Sequence, residues 1–392
     1  MELQGANNKL QIPDGFKDFL PEEAYQKRLL EEKWIKLFKS WSYKEIVSSS
    51  FEFYDTLTMN VGVNTLSLLK TIDRTGHILA LRPDMTSPIA RLVATRMKDQ
   101  LFPQRLFYLA NVFRYENEIQ KGRHREFFQA GIELIGPKGP QVDGEIIALA
   151  VEALKTAGLQ DFQFGLGHVG LTKGLLKQLG HEKGMENEIK EALSHKNLVK
   201  LSSLLKLSRQ SLDKEIFNLL TTQGDLDTMV QKLKGIVQEP GFAADVKEME
   251  ALVRTLKAYG VEDKVFMDLS ILRDFNYYTG IVFEGYSENL GYPVCGGGRY
   301  DDLLGTFGFN CPATGFAIGI ERVLEALNKE GSPQVFQVDY FIYGSDETKA
   351  IEEARRLRQK GYTVELAMHN LSQGEAEQYA LKKGIKNILL LK

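Results

Sequence analysis

Apolar residues recur at helical spacing in two parts of the chain. Near the start, Pro21 precedes a stretch, residues 22–41, in which one face is apolar: Leu30, Trp34, Leu37, Phe38 and Trp41. This i, i+4, i+7, i+8, i+11 pattern predicts an amphipathic helix. Residues 171–260 are rich in Leu, Lys and Glu at helical spacing, with few β-branched residues, which predicts a helical insertion.

Strand-like patterns lie on both sides of that insertion. Residues 105–116 and 126–136 are β-rich and are separated by a polar loop, which predicts a hairpin. Residues 43–54, 265–272 and 279–286 also have strand character. Residues 88–97, 143–157 and 317–329 have the spacing of helices.

The tail alternates strand and helix patterns. From residue 338 to residue 392 the order is β-α-β-α-β, which predicts a small, largely parallel α/β domain. The chain stops directly after the last strand, so we expect this domain to be truncated. The predicted domains are therefore a core of residues 1–170 and 261–330, the insertion at 171–260 and a tail domain at 334–392.

Composition favours a cytoplasmic, multidomain globular protein. The 392 residues include 49 Lys and Arg against 52 Asp and Glu, a net charge of −3, and are 43% hydrophobic. Two cysteines cannot form a disulfide framework. The polar start lacks the apolar core of a secretory signal, and no apolar run approaches membrane-spanning length.

Two familiar site patterns carry little weight here. Gly165, Gly167 and Gly170 form G-x-G-x-x-G, but helical sequence follows where a dinucleotide fold needs a second strand, so a strand-to-helix turn is favoured. The six histidines never occur four apart on one helix, and no CxxC occurs, so no metal site is expected.

The hairpin carries a polar face. Side chains alternate along a strand, so Arg114 and Glu116 share a face, as do Gln129 and Glu133. Such a face either meets solvent or lines a polar pocket. Glu133 suits an ammonium group, and Arg114 suits a carboxylate or phosphate. The cationic loop 117–125 suits a polyphosphate or is a solvated turn.

Three other segments offer similar chemistry. Asp84 and Thr86 lie two apart after a strand, and Arg273 precedes Tyr277 and Tyr278. The glycine-rich segment 296–300 would let a ligand approach the backbone closely, and it contains Arg299. Arg322 lies in a mostly apolar helix, where it needs a partner. Each alone fits a structural role. Together they predict a non-covalent pocket for an amino acid, alone or beside a nucleotide, because no nucleophile arrangement is suggested.

These residues resemble a known family. Residues 113–116 and 121–129 are similar to motif 2 of class II aminoacyl-tRNA synthetases of the histidyl type, and residues 315–322 are similar to motif 3. Residues 272–280 and 297–301 are similar to its histidine-pocket segments. The resemblance covers residue 12 to the end. It implies an α+β fold with an antiparallel sheet of six to seven strands flanked by helices.

The resemblance also implies roles for individual residues. It places a bound histidine among seven residues: Asp84, Thr86, Gln129, Glu133, Arg273, Tyr277 and Tyr278. It assigns four more to a remnant of an ATP site: Arg114, Glu116, Phe127 and Arg322. Phe127 would stack on adenine, and the two arginines would contact phosphates.

Departures from the synthetase pattern distinguish two relatives. Ser49 stands where motif 1 has proline, and Asp274, Phe275 and Asn276 replace Gly-Leu-Asp of the usual histidine signature. The tail shows no excess of basic charge, so tRNA binding is not expected. These features resemble the regulatory subunits of ATP phosphoribosyltransferase, which are paralogues of histidyl-tRNA synthetase.

This second resemblance implies a non-catalytic, cofactor-free chain that is needed for the first step of histidine biosynthesis. Its partners would be the short-form catalytic subunit, in a hetero-octamer, and a second copy of itself, with histidine as feedback effector. Two alternatives stay open: an active histidyl-tRNA synthetase, and a synthetase-like nutrient sensor that binds RNA.

Overall fold

The chain forms two compact units. A computed structural model describes residues 10–59, 64–115, 124–179, 185–205, 211–236, 240–271, 277–331 and 335–391. The first unit comprises Met1–Asp18 and Lys27–Ser332, and the second comprises Phe19–Gln26 and Pro333–Lys392. The finer division of the first unit into a core and a helical insertion stays a prediction.

A large sheet organises the first unit. The described strands of the first unit are β1 (Lys44–Glu45), β2 (Phe51–Phe53), β3 (Lys70–Ile72), β4 (Ile78–Leu81), β5 (Gln104–Phe113), β6 (Glu126–Ile135), β7 (Phe162–His168), β8 (Gly224–Asp225), β9 (Val265–Met267), β10 (Ile281–Ser287), β11 (Pro293–Arg299) and β12 (Ala313–Gly319). Nine of them form one sheet in the order β1-β5-β6-β12-β11-β10-β7-β9-β8.

Six neighbouring strands of this sheet, in the order β5-β6-β12-β11-β10-β7, are antiparallel, as the family resemblance implies. The predicted strand count was low, because the short strands β1 and β9 add to the sheet in parallel and β8 pairs with β9. The predicted single strand over residues 43–54 is also wrong. Its two ends belong to different sheets, since β2 joins β4 and β3 in a small separate sheet.

Helices cover both faces of the large sheet. In the first unit they are α1 (Pro21–Ser40), from Lys27 onward, α2 (Tyr54–Thr58), α3 (Thr86–Leu92), α4 (Pro140–Ala157), α5 (Val169–Leu179), α6 (Glu186–Ser194), α7 (Leu198–Leu204), α8 (Ser211–Thr221), α9 (Leu226–Ile236), α10 (Pro240–Tyr259) and α11 (Ile320–Lys329). A π-helical turn, Val93–Met97, extends α3.

The main core lies between one sheet face and α1 and α4. Trp34 and Phe38 of α1 are fully buried, and Phe38 packs against Phe107 of β5. The Trp34 indole N–H donates to the Ala153 carbonyl of α4. The opposite sheet face packs in part against α3, through buried Met85, Ile89 and neighbouring residues.

The glycine pattern at β7 has a packing role. A side chain at Gly167 would meet the Ile271 carbonyl oxygen at 2.7 Å, so a larger residue does not fit. The strand passes directly into α5 after His168. These glycines therefore serve a strand-to-helix junction, the simpler of the two alternatives.

The second unit has the predicted β-α-β-α-β order. It contains β13 (Tyr340–Gly344), α12 (Glu347–Gln359), β14 (Val364–Leu366), α13 (Gln373–Lys383) and β15 (Asn387–Leu391). Its three strands are parallel, in the order β14-β13-β15. A capping box between Ser372 and Glu375 fixes the start of α13.

A candidate amino-acid pocket on the large sheet

One face of the central strands carries almost no side chains. The register pairs Gly131 of β6 with Ala317 of β12, and Gly315 of β12 with Gly298 of β11. Because alternate residues of a strand share a face, these four small residues form one floor. The side chains of Tyr108, Tyr278 and Glu133 lie directly over its glycines, so that a Cβ at Gly131, Gly298 or Gly315 would overlap them.

Glu133 stands at one end of the floor. Only 2% of this residue is exposed, and its carboxylate accepts a hydrogen bond from the Tyr300 hydroxyl. The pKa of Glu133 is raised to about 8, chiefly because the group is buried. Hydrogen bonds from Tyr300 and Thr86 lower this pKa, and the nearby Asp84 carboxylate raises it. The pocket thus offers a hydrogen-bonding group that is largely uncharged at neutral pH.

Tyrosines enclose the same end. The Tyr277 ring stacks on Tyr300 with centroids 5.4 Å apart and meets Tyr278 edge-on at 4.9 Å. Tyr108 of β5 approaches from the other side and is fully buried. Burial raises the pKa of Tyr108, Tyr277 and Tyr300 well above that of a free phenol, so all three stay neutral hydroxyls.

Local sequence explains the positions of Asp84 and Thr86. Strand β4 ends at Leu81, and the turn that follows leads to α3, whose first residue is Thr86. The Asp84 carboxylate accepts the Ser87 backbone N–H at 2.9 Å, at the start of this helix. The turn thereby presents a carboxylate and a hydroxyl to Glu133.

Five of the seven residues predicted to surround histidine come together here: Asp84, Thr86, Glu133, Tyr277 and Tyr278. Gln129 is half-buried on the same face of β6 as Glu133, opposite Gly319. Arg273 lies outside the described residues. The residue roles themselves stay predictions.

Sequence reasoning missed two residues of this pocket, Tyr108 and Tyr300. Tyr108 could have been found from the sequence, because it is six residues before Arg114 and therefore lies on the same, polar face of the predicted strand. Tyr300 lies in the segment 297–301 that resembles a histidine-pocket segment, but the resemblance gave it no role of its own. Its contact with Glu133 depends on the fold that joins β11 to β12 and β6.

The residues assigned to a nucleotide remnant lie farther along. Phe127 is six residues before Glu133 on the same face of β6, about 20 Å away at about 3.3 Å per residue. The Arg114 guanidinium lies 5.5 Å from the Phe127 ring centre and donates to the Pro83 carbonyl at 2.7 Å. Arg322 donates to the Pro293 carbonyl at 2.7 Å and lies over Tyr292. Glu116 lies outside the described residues.

Arg299 has a structural role. Its side chain is 6% exposed and binds Asp143 of α4, with Nη2 and Oδ1 2.7 Å apart, and Asp301 at 3.0 Å. Because Arg299 and Tyr300 are adjacent, this ion pair anchors the end of β11 where Tyr300 enters the pocket. The alternative of a structural salt bridge is therefore correct for this arginine.

One group of potential metal ligands exists among the described residues, although no metal site was expected. His168, Asp245 and Glu248 bring one ligand atom each within 4.8 Å of one another. The Leu171 backbone N–H donates to His168 Nδ1, which places the ring proton of the neutral imidazole on Nε2. Neither nitrogen then offers a free lone pair, and this arrangement opposes metal coordination.

Comparison with known proteins gives a consistent result. Residues 15–323 match the sequence model of the histidyl-tRNA synthetase family. An ATP phosphoribosyltransferase regulatory subunit from Moorella thermoacetica is 45% identical over 97% of this chain and 98% of its own. One from Desulforamulus reducens is 43% identical over 96% and 95%.

Solved structures agree. A protein from Bacillus halodurans, described as an ATP phosphoribosyltransferase regulatory subunit/histidyl-tRNA synthetase, is 33% identical and covers 98% of this chain and 99% of its own, with a TM-score of 0.85. Histidyl-tRNA synthetase from Nostoc, 24% identical with a TM-score of 0.83, shares the fold. Among the described residues, no helix is long and apolar enough to cross a membrane.

These relatives confirm the class II synthetase-like fold and agree with the expectation of a regulatory rather than a catalytic chain. The chain belongs to the family of ATP phosphoribosyltransferase regulatory subunits, a branch of the histidyl-tRNA synthetase-like proteins.

Proposed function

We propose that this chain is the histidine-sensing subunit of ATP phosphoribosyltransferase and binds histidine at the Glu133 end of the floor. The observation that carries this is a buried carboxyl group, Glu133, set among Thr86, Tyr300 and Asp84 beside a floor of small residues. Its described hydrogen-bond partners are hydroxyl groups, and a ligand ammonium or imidazole would add the stronger, charge-assisted hydrogen bonds that suit a carboxylate.

Histidine fits these groups chemically. Its ammonium and its imidazole each need polar partners, which Glu133, Asp84 and the tyrosine hydroxyls offer. Its carboxylate needs donors, and Gln129 and Arg273 are the residues proposed to supply them. The seven residues that the family resemblance assigns to histidine would therefore satisfy its ammonium, imidazole and carboxylate groups.

The proposed partner is the short-form catalytic subunit, in a cytoplasmic hetero-octamer. Histidine would act by binding one state of this assembly more tightly than another, which is the condition for any allosteric inhibitor. The chain itself would carry out no catalysis and hold no cofactor.

A self-dimer is proposed through the small sheet. Phe51 and Phe53 of β2 are 45% and 53% exposed, and they alternate with Glu52, which is buried and pairs with Arg91. The two phenylalanines therefore share the uncovered face of this sheet. Strand β2 begins within residues 46–52, the stretch that resembles motif 1, which is the dimer-forming segment of class II synthetases.

One observation favours a second function. Arg114 lies beside Phe127, the arrangement that suits a nucleotide base and its phosphates, and Arg322 is present. An active histidyl-tRNA synthetase would use these residues with ATP. That alternative predicts histidine-dependent exchange between ATP and pyrophosphate, whereas the regulatory function predicts none.

Histidine binding is tested by isothermal titration calorimetry of the purified chain. The Glu133→Ala variant should lose measurable binding, because the ligand loses its buried acceptor. Glu288→Ala, which changes an exposed carboxylate after β10, should bind like the wild type. Unchanged affinity of Glu133→Ala would show that the pocket is wrongly assigned.

A further inference from the structure

Two carboxyl groups face one small space in the pocket. Glu133 comes from β6 and Asp84 from the turn after β4, and the Asp84 carboxylate raises the pKa of Glu133. The Glu133 carboxyl receives hydrogen bonds from neutral hydroxyls, those of Tyr300 and Thr86. Hydroxyls support a carboxylate less well than a cation does.

The groups that face Glu133 come from every neighbouring element. Asp84 precedes α3, Tyr108 lies on β5, Tyr277 lies before β10 and Tyr300 follows β11. Strand β12 contributes Gly315, which has no side chain. Within the described ranges, none of the groups facing Glu133 is a cation; Arg273 lies outside them.

We propose that the empty pocket stores a proton on Glu133 and that histidine binding expels this proton to solvent. The inference rests on the proposed function and extends it to regulation, because it makes the response to histidine depend on pH. The ligand supplies a positive charge and N–H donors, which none of the described groups facing Glu133 provides.

The direction of the pH effect follows from linkage. The pKa of Glu133 is raised to about 8 by burial, so the empty pocket is mostly protonated at pH 7.5. A histidine ammonium against Glu133 favours the carboxylate and lowers this pKa in the complex. Protons therefore compete with histidine, and acid weakens binding as pH falls below about 8.

Calorimetry in two buffers measures the proton directly. Histidine is titrated at pH 7.5 in phosphate and in Tris, whose ionisation enthalpies differ, and the difference in heat gives the protons released. Because the pKa of Glu133 is raised to about 8, we expect most of one proton to be released per histidine bound. At this pH the imidazole of free histidine, with a pKa of about 6.5, contributes little.

Variants assign the proton to Glu133. Glu133→Gln should release almost no protons when it binds histidine at high ligand concentration. Asp245→Asn, which removes another carboxyl group of raised pKa on α10, should release as much as the wild type. At pH 8.0, Tyr300→Phe should increase proton release, because it removes a hydrogen bond that lowers the pKa of Glu133. Asp84→Asn should decrease proton release, because it removes a negative charge that raises this pKa.

The outcomes separate the two proposals. Tight histidine binding by the wild type with no difference between buffers would overturn the proton inference and leave the histidine site standing. A Glu133→Gln variant that still binds histidine and still releases a proton would likewise overturn the proton inference and leave the histidine site standing. A wild-type chain that binds no histidine would overturn the proposed function and this inference with it.

Discussion

The ion pair between Arg299 and Asp143 lies directly beneath the pocket and offers a sharp stability test. The two side chains are 6% and 2% exposed, with Arg299 Nε and Nη2 both within 3.0 Å of Asp143 Oδ1. Asp143→Ala would leave the guanidinium buried with Asp301 alone. Breaking a buried pair by removing one partner costs about 3–5 kcal/mol.

An exposed pair provides the matched control. Lys257 and Asp227 approach to 2.6 Å, but their side chains are 45% and 65% exposed. Exposed pairs contribute about 0.2–1 kcal/mol because water screens the charges. Asp227→Ala should therefore destabilise the chain by less than about 1 kcal/mol.

Urea unfolding followed by tryptophan fluorescence measures both variants. Trp34 reports on the right region, because its indole N–H binds α4, the helix that carries Asp143. The double variant Asp143→Leu, Arg299→Met removes both charges and should recover much of the lost stability. A loss below about 1 kcal/mol for Asp143→Ala, or a double variant no more stable than the single one, would refute this reasoning.

Three further predictions concern the pocket and its surroundings. Gly315→Ala should abolish histidine binding by calorimetry, because its Cβ would overlap the Glu133 carboxylate, whereas Gly235→Ala, with no atom within 4 Å of its Cβ, should bind normally. Phe53→Glu should yield monomers in light scattering if the small sheet forms the dimer, and Val199→Glu, 82% exposed on α7, should leave the dimer intact. Phe127→Ala should weaken any ATP binding by about 1–3 kcal/mol through lost stacking, and unchanged affinity in a fluorescent-nucleotide assay would remove Phe127 from that site.

Much of this architecture could be predicted from local patterns. The hairpin of β5 and β6 follows from two β-rich runs and a polar loop, and strand parity alone assigns Gln129 and Glu133 to one face. The α/β order of the tail was predictable for the same reason, because its apolar strands and amphipathic helices alternate clearly.

Contacts between distant segments could not be predicted in this way. Arg299 follows the glycine-rich segment and looks available for a ligand, but α4 brings Asp143 to it across 156 residues. Tyr300 reaches Glu133 across 167 residues for the same reason. The split of residues 43–54 between two sheets likewise depends on which strands are nearby, since β1 pairs with β5 and β2 with β4.

The central claim is that this chain senses histidine on behalf of a catalytic partner. The most direct test measures ATP phosphoribosyltransferase activity of the short catalytic subunit from the same organism, with and without this chain, while histidine is titrated. The account predicts activity only when both chains are present, and inhibition by histidine that Glu133→Ala relieves. Full activity without this chain, or activity of the complex that histidine does not inhibit, would contradict it.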